Sequence, residues 1–222
     1  MNGRSLRILG LDAALGSGSV ALLDGDTVLA EANEAADQGQ SETLAPMIAR
    51  VLHAAGMTAP ALDAVSVTIG PGSFTGLRAS LALAHGLAAA AGVLLIGVTV
   101  AEALAQPLRL GRRALWVAID NRRGRVFLDR GAGAEAVSLA ALPRPEQPVA
   151  LAGDAAVLVA ATLAAAGFDV MLTDVRRPHA RYVAAAGVAR LAGGLPERAV
   201  LPLYVDPPEA RMPAGGLRPR PA

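Results

Sequence analysis

One short pattern occurs twice in this chain of 222 residues and limits the folds that it can adopt. Leu9-Gly10-Leu11-Asp12 leads through a glycine-containing turn into residues 20–24, and Val117-Ala118-Ile119-Asp120 leads through a second such turn into residues 126–129. In each copy an apolar strand ends at an aspartate and a second strand returns beside it. The repetition predicts an α/β protein of two duplicated lobes.

Hydrophobic periodicity predicts the remaining elements. In the first lobe we expect strands at residues 6–11, 19–23, 28–32, 64–69 and 93–98, and helices at 43–55, 75–91 and 100–106. In the second lobe we expect strands at 114–119, 125–129 and 149–151, and helices at 155–166 and 180–191. The lobes are then residues 1–106 and 107–206, and the Pro- and Arg-rich residues 207–222 are expected to be a disordered tail.

Composition excludes several kinds of catalytic site. The chain has 20 basic and 19 acidic residues, so its net charge of +1 gives no strong field for nucleic acid or an anionic membrane. No Lys occurs, which excludes a P-loop lysine and Schiff-base chemistry. No Cys occurs, which excludes thiolate chemistry and is compatible with a cytoplasmic location. The three His residues are scattered without metal-binding spacing, so no metal or cofactor is predicted.

Residues 79–101 carry no charge and are long enough to cross a bilayer. His85 and Thr99 interrupt the apolar run, as do glycines at positions 86, 92 and 97. A buried helix, a turn and a buried strand explain this composition better than a lipid-facing helix does. The apolar stretch at residues 8–11 is too short for a secretory signal, so no membrane segment is predicted.

The stretch from Gly70 to Arg78 follows a predicted strand and opens a predicted helix, a place where phosphates often bind. Its glycine spacing fits neither the dinucleotide fingerprint nor the P-loop. We therefore predict a structural turn in which Ser73 or Thr75 caps the helix and Arg78 is free to pair with an acid. A bound phosphate is the alternative.

Three aspartates could mark a cleft between the lobes. Asp12 and Asp120 each end a strand, and Gly153-Asp154 follows another. Two interpretations stay open: these residues form a vestigial nucleotide cleft that holds Mg²⁺ or water, or each aspartate only caps its own turn.

The helix at 75–91 is apolar on two sides, which indicates burial between its own sheet and a second layer. That layer is either this chain or a partner that completes a four-helix bundle. One stripe holds Leu77, Leu81, Ala84 and Ala88, and the other holds Ala79, Leu83, Leu87 and Ala90. The sequence does not decide which stripe faces outward. The candidate interface residues are Leu44, Met47, Ile48, Val51, Leu77, Leu81, Ala84, His85 and Ala88.

Seven arginines form the one local cluster of basic residues in the sequence. Two interpretations are open: the cluster contacts RNA, or it is a solvated strand edge. They are Arg109, Arg112, Arg113, Arg122, Arg123, Arg125 and Arg130. No aromatic platform accompanies them, which favours the solvated edge.

Four landmarks in order resemble the TsaB family, also called YeaZ, a partner of TsaD in making N6-threonylcarbamoyladenosine beside the tRNA anticodon. They are residues 8–12, residues 70–78, residues 117–120 with Arg122-Arg123-Gly124, and Pro202-Leu203-Tyr204-Val205 with Pro207-Pro208. The resemblance implies two lobes of the actin/Hsp70/sugar-kinase (ASKHA) type. The sequence departs from the family pattern at Gln40 and His85 and in the Ala13-Ala14 pair after Asp12.

The resemblance also implies a non-catalytic scaffold subunit with no cofactor. Its first-lobe helix pair would pack against a TsaD-like paralogue, a TsaE-like ATPase would join them, and tRNA would be met only through the complex. A homodimer through the same surface would compete with this pairing. The alternatives are an active nucleotide-dependent phosphotransferase or ATPase, with Asp12, Asp120 and Gly153-Asp154 as its site, and a glycoprotein peptidase.

Overall fold

The computed structural model describes residues 5–35 and 40–206, which form two sheets and five helices. The strands are β1 (Arg7–Asp12), β2 (Ser17–Asp24), β3 (Thr27–Ala35), β4 (Ala64–Gly70), β5 (Leu94–Thr99), β6 (Ala114–Asp120), β7 (Val126–Asp129), β8 (Ala134–Val137), β9 (Val149–Ala152) and β10 (Val170–Leu172). The helices are α1 (Gln40–Ala54), α2 (Phe74–Ala91), α3 (Val100–Ala105), α4 (Ala156–Ala165) and α5 (Ala180–Leu191).

The two sheets have the same topology. The first has the order β3-β2-β1-β4-β5, and the second has the matching order β8-β7-β6-β9-β10. In each sheet the three strands that come first in the chain form an antiparallel meander. The last two strands run parallel to the first strand of that meander, which is β1 in the first sheet and β6 in the second. The predicted duplication is therefore confirmed, and with it the ASKHA-type fold.

Helices cover both faces of the first sheet. Strand β1 shows why, because its side chains alternate between two cores. Leu9 and Leu11 point to a core shared with α1 and α2, whereas Ile8 points to a core shared with α5. A strand that is buried on both faces has a continuous run of apolar residues in its sequence, and β1 has such a run.

Helix α5 returns from the second lobe and packs very close to β1. A Cβ atom added to Gly10 would lie 2.1 Å from the Ala180 carbonyl oxygen. The Ala180 N–H donates to Ser19 Oγ at 3.0 Å, and Ser66 Oγ donates to the Val183 carbonyl at 2.9 Å. In packing terms α5 therefore belongs to the first sheet, although the predicted division after residue 106 assigns it to the second lobe. That division stays a prediction.

The second sheet buries one face under α4 and the other against the first lobe. Trp116 and Ala118 of β6 pack with α4, and the alternate residues Val117 and Ile119 point to the first lobe. There they join an apolar cluster that we call the interlobe seam. Its buried members are Ala14, Leu15, Leu77, Val100, Leu104, Val117, Ile119 and Ala152.

The predicted elements are all present, with a few corrections. β8 and β10 were not predicted because each has only three or four residues and its register comes from the neighbouring strand. α1 begins at Gln40, so Pro46 lies in the second turn and its missing N–H removes one backbone hydrogen bond from the helix. The predicted disordered tail, 207–222, lies outside the described residues.

Residues 79–101 divide as predicted into the end of α2, a left-handed cap at Gly92 and strand β5. Among the described residues, the structure has no helix that combines the length and apolarity needed to cross a membrane.

Gly10→Ala is expected to lower the free energy of unfolding by about 3 kcal/mol, because the new methyl group meets a backbone carbonyl that can move only with α5. Urea unfolding followed by circular dichroism measures this change. Gly86→Ala in α2 is the matched control, since a Cβ atom there meets nothing within 4 Å. The free energy of unfolding of the control should rise by up to about 1 kcal/mol, because alanine is favoured over glycine inside a helix. Equal stability of the two variants would contradict the close packing of α5 on β1.

Candidate functional site

An open cleft of about 750 Å³ lies between the lobes. The first lobe contributes the turn after β1 and the start of α2. The second lobe contributes the turn after β6 and the residue that follows Gly153. The lining includes Leu15, Gly72, Phe74, Arg78, Asp120, Asn121, Arg122, Phe127, Asp154, Tyr204 and Asp206.

Asp12 is close to this cleft in the chain but does not line it. Its carboxylate is fully buried, and Oδ1 accepts hydrogen bonds from Thr68 Oγ1 at 2.7 Å and from the Ala14 N–H at 3.2 Å. Oδ2 is buried without a partner among the described residues. Burial raises the pKa of Asp12 to about 7, although both hydrogen bonds oppose the rise. Asp12 therefore caps its own turn, and the structure does not bring it into a nucleotide cleft.

The turn after β1 is apolar and covered. Ala13 and Ala14 are fully buried and Leu15 is 5% exposed. The loop at Gly72 lies directly over them, because a Cβ at Gly72 would be 2.4 Å from the Ala14 carbonyl oxygen. That carbonyl accepts a 2.7 Å hydrogen bond from the Ser73 N–H. This turn therefore contributes Ala14 and Leu15 to the interlobe seam, and the same two residues form an apolar part of the cleft lining.

The two aspartates of the second lobe do meet at the cleft. The Asp120 N–H donates to Asp154 Oδ1 at 2.9 Å, and Asp120 Oδ1 accepts from the Arg122 N–H at 2.8 Å. Burial raises the pKa of Asp154, and the neighbouring Asp120 carboxylate raises it further, against a hydrogen bond and two arginines that lower it. Gly153 itself is structural, since it has a φ of +101° and no room for a Cβ beside the Ala118 carbonyl.

The predicted turn at residues 70–78 is confirmed in part. Gly70-Pro71 is a cis peptide bond, and Ser73 Oγ caps α2 by accepting from the Gly76 N–H at 3.3 Å. Among the described residues, Arg78 contacts two aromatic rings and no acid. Its guanidinium lies 3.7 Å from the centroid of the Phe74 ring and donates to Tyr204 Oη at 3.1 and 3.2 Å. Tyr204 lies far away in the sequence, so local pattern gave no signal for this contact.

A segment after α5, residues 196–206, connects the first lobe to the cleft, and we call it the strap. The Leu203 N–H donates to the Ile69 carbonyl at 2.7 Å, and His85 Nε2 donates to the Val200 carbonyl at 3.0 Å. At the far end, Asp206 accepts from Arg125 Nη2 at 2.7 Å. Sequence reasoning missed Asp206 as a cleft residue because this placement depends on the path of the strap.

The predicted interface residues lie mostly in the core of this chain. Leu44, Met47, Ile48 and Val51 of α1 and Leu77, Leu81, Ala84 and Ala88 of α2 are all buried. Seven of these eight pack together against the first sheet, and Leu77 joins the interlobe seam. They are not available to a partner while the first lobe keeps this core. Of the nine candidates, only His85 is exposed.

The opposite side of the same helix pair faces outward and carries small residues. We call it the outer face, and its members are Ala45 and Ala49 of α1 and Ala79, Ala82, Gly86 and Ala89 of α2. Ala79 is half-buried and the other five are exposed. Leu83 and Leu87 lie half-buried along the side of α2. They pack on the core that α2 shares with α1 and the first sheet.

The arginines do not form one patch. Arg109, Arg112 and Arg113 precede β6, whereas Arg122 and Arg123 follow it, and a seven-residue strand separates the two groups by about 20 Å. Arg113 pairs with Asp169 at 2.8 Å. This separation favours the solvated-edge interpretation.

Known proteins were compared with this chain. The family model described as TsaD, tRNA N6-adenosine threonylcarbamoyltransferase, matches residues 32–141. The Escherichia coli (strain K12) tRNA threonylcarbamoyladenosine biosynthesis protein TsaB is 35% identical over 124 residues, which are 55% of this chain and 53% of that protein. YeaZ from Pseudomonas aeruginosa has a solved structure with a TM-score of 0.74 and 26% identity, and the match covers 90% of this chain and 99% of that one. The chain is therefore similar to proteins of the TsaB (YeaZ) family in sequence and in structure.

The chain is also similar to a TsaD-type protein. The tRNA N6-adenosine threonylcarbamoyltransferase of Erythrobacter litoralis (strain HTCC2594) is 40% identical over 77 residues, which are 35% of this chain and 22% of that protein. In sequence, the chain spans about half the length of the curated TsaB relatives that it matches.

Asp12→Asn is expected to make folding less sensitive to pH. In the wild type the folded state keeps the Asp12 proton up to about pH 7, whereas the unfolded state releases it near 3.8, so stability falls as pH rises through this range. The Asn side chain has no proton to release in this range, so the variant lacks this fall in stability. We expect it to be more stable than the wild type at pH 8 by about 1–3 kcal/mol, since each pKa unit corresponds to about 1.4 kcal/mol and a buried amide N–H without a partner offsets part of the gain.

Thermal unfolding of both proteins between pH 4 and pH 8 measures the difference. Asp26→Asn, in the exposed turn between β2 and β3, controls for the loss of one negative charge. A constant difference between Asp12→Asn and the wild type across this range would rule out a buried proton on Asp12.

Proposed function

We propose that this chain is a non-catalytic docking subunit for a TsaD-type protein in the biosynthesis of N6-threonylcarbamoyladenosine in tRNA. The observation that carries the proposal is the outer face of α1 and α2. It is an exposed surface of small residues on a helix pair whose other side is fully committed to the core.

The shape of the outer face suits a second pair of helices. Alanine and glycine side chains leave the helix backbones accessible, so another helix can approach to the short end of the usual 8–10 Å interaxial distance. In α5, by contrast, the small residue Gly187 packs against Ser66 of the first sheet. The small residues of the outer face meet no such partner within the described chain.

Gly86 supports this interpretation most directly. It lies inside an 18-residue helix, where glycine costs up to about 1 kcal/mol relative to alanine. A Cβ atom added there would meet nothing within 4 Å. Packing among the described residues therefore gives no reason for a glycine, whereas close contact with a partner helix does.

The comparisons support the kind of partner proposed. The TsaD family model matches residues 32–141, which include both α1 and α2. A TsaD-type protein is therefore expected to carry a similar helix pair, and two similar pairs can pack about an approximate two-fold axis. A homodimer through the same face would compete with this complex. In the proposal a TsaE-like ATPase joins the pair, and tRNA is met only in the assembly.

The interlobe seam supports a non-catalytic role. In this chain the turn after β1 buries Ala13, Ala14 and Leu15, and Asp12 lies beneath it with one oxygen unpartnered among the described residues. A nucleotide phosphate and its Mg²⁺ need backbone N–H groups and carboxylate oxygens that reach them. Asp12 reaches no such position in this arrangement.

Ala82→Arg is expected to abolish binding of a TsaD-type partner and to leave the fold intact, because the charge is solvated in the free chain and buried without a partner in the complex. Ala84→Arg is the matched variant on the buried side of α2, two residues along. It should lose the native fold, since Ala84 is fully buried in the core.

Co-purification and calorimetry with the partner, with circular dichroism as the folding control, measure both effects. The docking model is wrong if Ala82→Arg binds the partner with the affinity of the wild type. A folded Ala84→Arg variant that has lost binding would instead place the partner on the buried stripe.

The isolated chain is expected to hydrolyse neither ATP nor peptides, because the turn that would hold phosphate is part of the interlobe seam. Steady-state ATPase assays with Mg²⁺ and a peptidase assay test this. Turnover that disappears in Asp12→Ala would restore the phosphotransferase alternative.

A further inference from the structure

The exposed side of α2 continues beyond the small residues of the outer face. Ala82 and Gly86 are followed toward the start of the helix, at the same four-residue spacing, by Arg78 and Phe74. Phe74 is 57% exposed, and Arg78 is exposed as well. A large aromatic ring and a cation therefore border the outer face at the N-terminal end of α2.

The strap adds a second exposed ring at this position. Tyr204 is 54% exposed, and its ring centroid lies 6.3 Å from that of Phe74. The Arg78 guanidinium stacks on Phe74 and donates to Tyr204 Oη, and the hydrogen bond from the Leu203 N–H to the Ile69 carbonyl holds the adjacent backbone. We call Phe74, Arg78 and Tyr204 the aromatic cluster. Side chains that are already held lose little conformational entropy when a partner binds.

The charges of the helix pair indicate what such a partner carries. Residues 43–54 of α1 and residues 74–91 of α2 contain no Asp or Glu, and their two arginines are Arg50 and Arg78. Arg50 pairs with Glu34 at 2.6 Å, whereas Arg78 contacts no acid among the described residues. A second copy of this chain, docked through the same helix residues, offers Arg78 no carboxylate from them. A partner that carries an acid at this position is complementary.

We propose that the aromatic cluster anchors the TsaD-type partner, which presents a carboxylate to Arg78 and apolar side chains to Phe74 and Tyr204. This pairing favours the partner over a second copy of the chain. The proposal rests on the docking function and names the part of the surface that supplies much of its affinity. Aromatic and arginine side chains dominate the binding energy of protein interfaces. The alanines and the glycine of the outer face supply close approach instead.

Phe74→Ala is expected to lower the affinity for the TsaD-type protein of the same organism by at least about tenfold, because truncation removes the anchor. Calorimetry with the full chain measures the affinity, and circular dichroism confirms that each variant is folded. Leu172→Ala, at a 44% exposed position of β10 in the second sheet, is the matched control and should keep the wild-type affinity.

Arg78→Gln tests the charge of the cluster. It should lower the affinity and make binding less dependent on salt between about 50 and 500 mM NaCl, because the pair between Arg78 and the partner's carboxylate is screened by salt. Arg78→Lys keeps the positive charge and should keep the salt dependence of the wild type. Arg112→Gln, at an exposed position before β6, controls for the loss of one positive charge and should change neither quantity.

Ala82→Arg separates this proposal from the docking function. If Ala82→Arg abolishes binding while Phe74→Ala or Arg78→Gln keeps the wild-type affinity, the docking surface stands and the anchoring role of the cluster is overturned. An unchanged salt dependence in Arg78→Gln overturns the pairing with a carboxylate. If Ala82→Arg itself binds as tightly as the wild type, the docking function fails and this proposal fails with it.

Discussion

The close packing of α5 on β1 holds the two lobes in one structure. Gly10 admits the helix backbone, and the chain that forms the second sheet returns to the first lobe through this contact. Arg190 at the end of α5 donates to Glu102 at 2.7 Å, and Arg198 of the strap donates to the same carboxylate at 2.8 Å. Burial opposes ionisation of Glu102, but the Thr99 N–H and the two arginines outweigh it and hold its pKa below the usual range. The path of the strap to the cleft follows from this anchored end.

The interlobe seam holds the two lobes together at the ends of β1 and β6. Here those ends are joined by apolar side chains from both lobes, among them Leu15, Leu77 and Ile119. Rigid lobes hold α1 and α2 against one sheet, so their outer face keeps a fixed shape. A preorganised surface loses less conformational entropy when a partner binds.

Much of the fold could be predicted because its signals are local. Apolar alternation marks the central strands, and the repeated strand, aspartate and turn reveals the duplication before any contact is known. α5 was predicted at residues 180–191 and is found there. The predicted cap at Ser73 also needed only residues within one turn. β8 and β10 were missed because short edge strands obtain their hydrogen bonds from neighbours that the sequence does not identify.

The sequence by itself determined the duplicated lobes and the two-sided apolar character of α2, since periodicity and motif spacing are properties of neighbouring residues. Tertiary structure decided which side of α2 is the core, because both stripes are apolar and only the position of the sheet distinguishes the buried Ala84 from the exposed Ala90. It also decided that Asp12 is buried and Asp154 lines the cleft, although both follow similar strands. A carboxylate's environment depends on the loops that cross over it, and those loops come from distant parts of the chain.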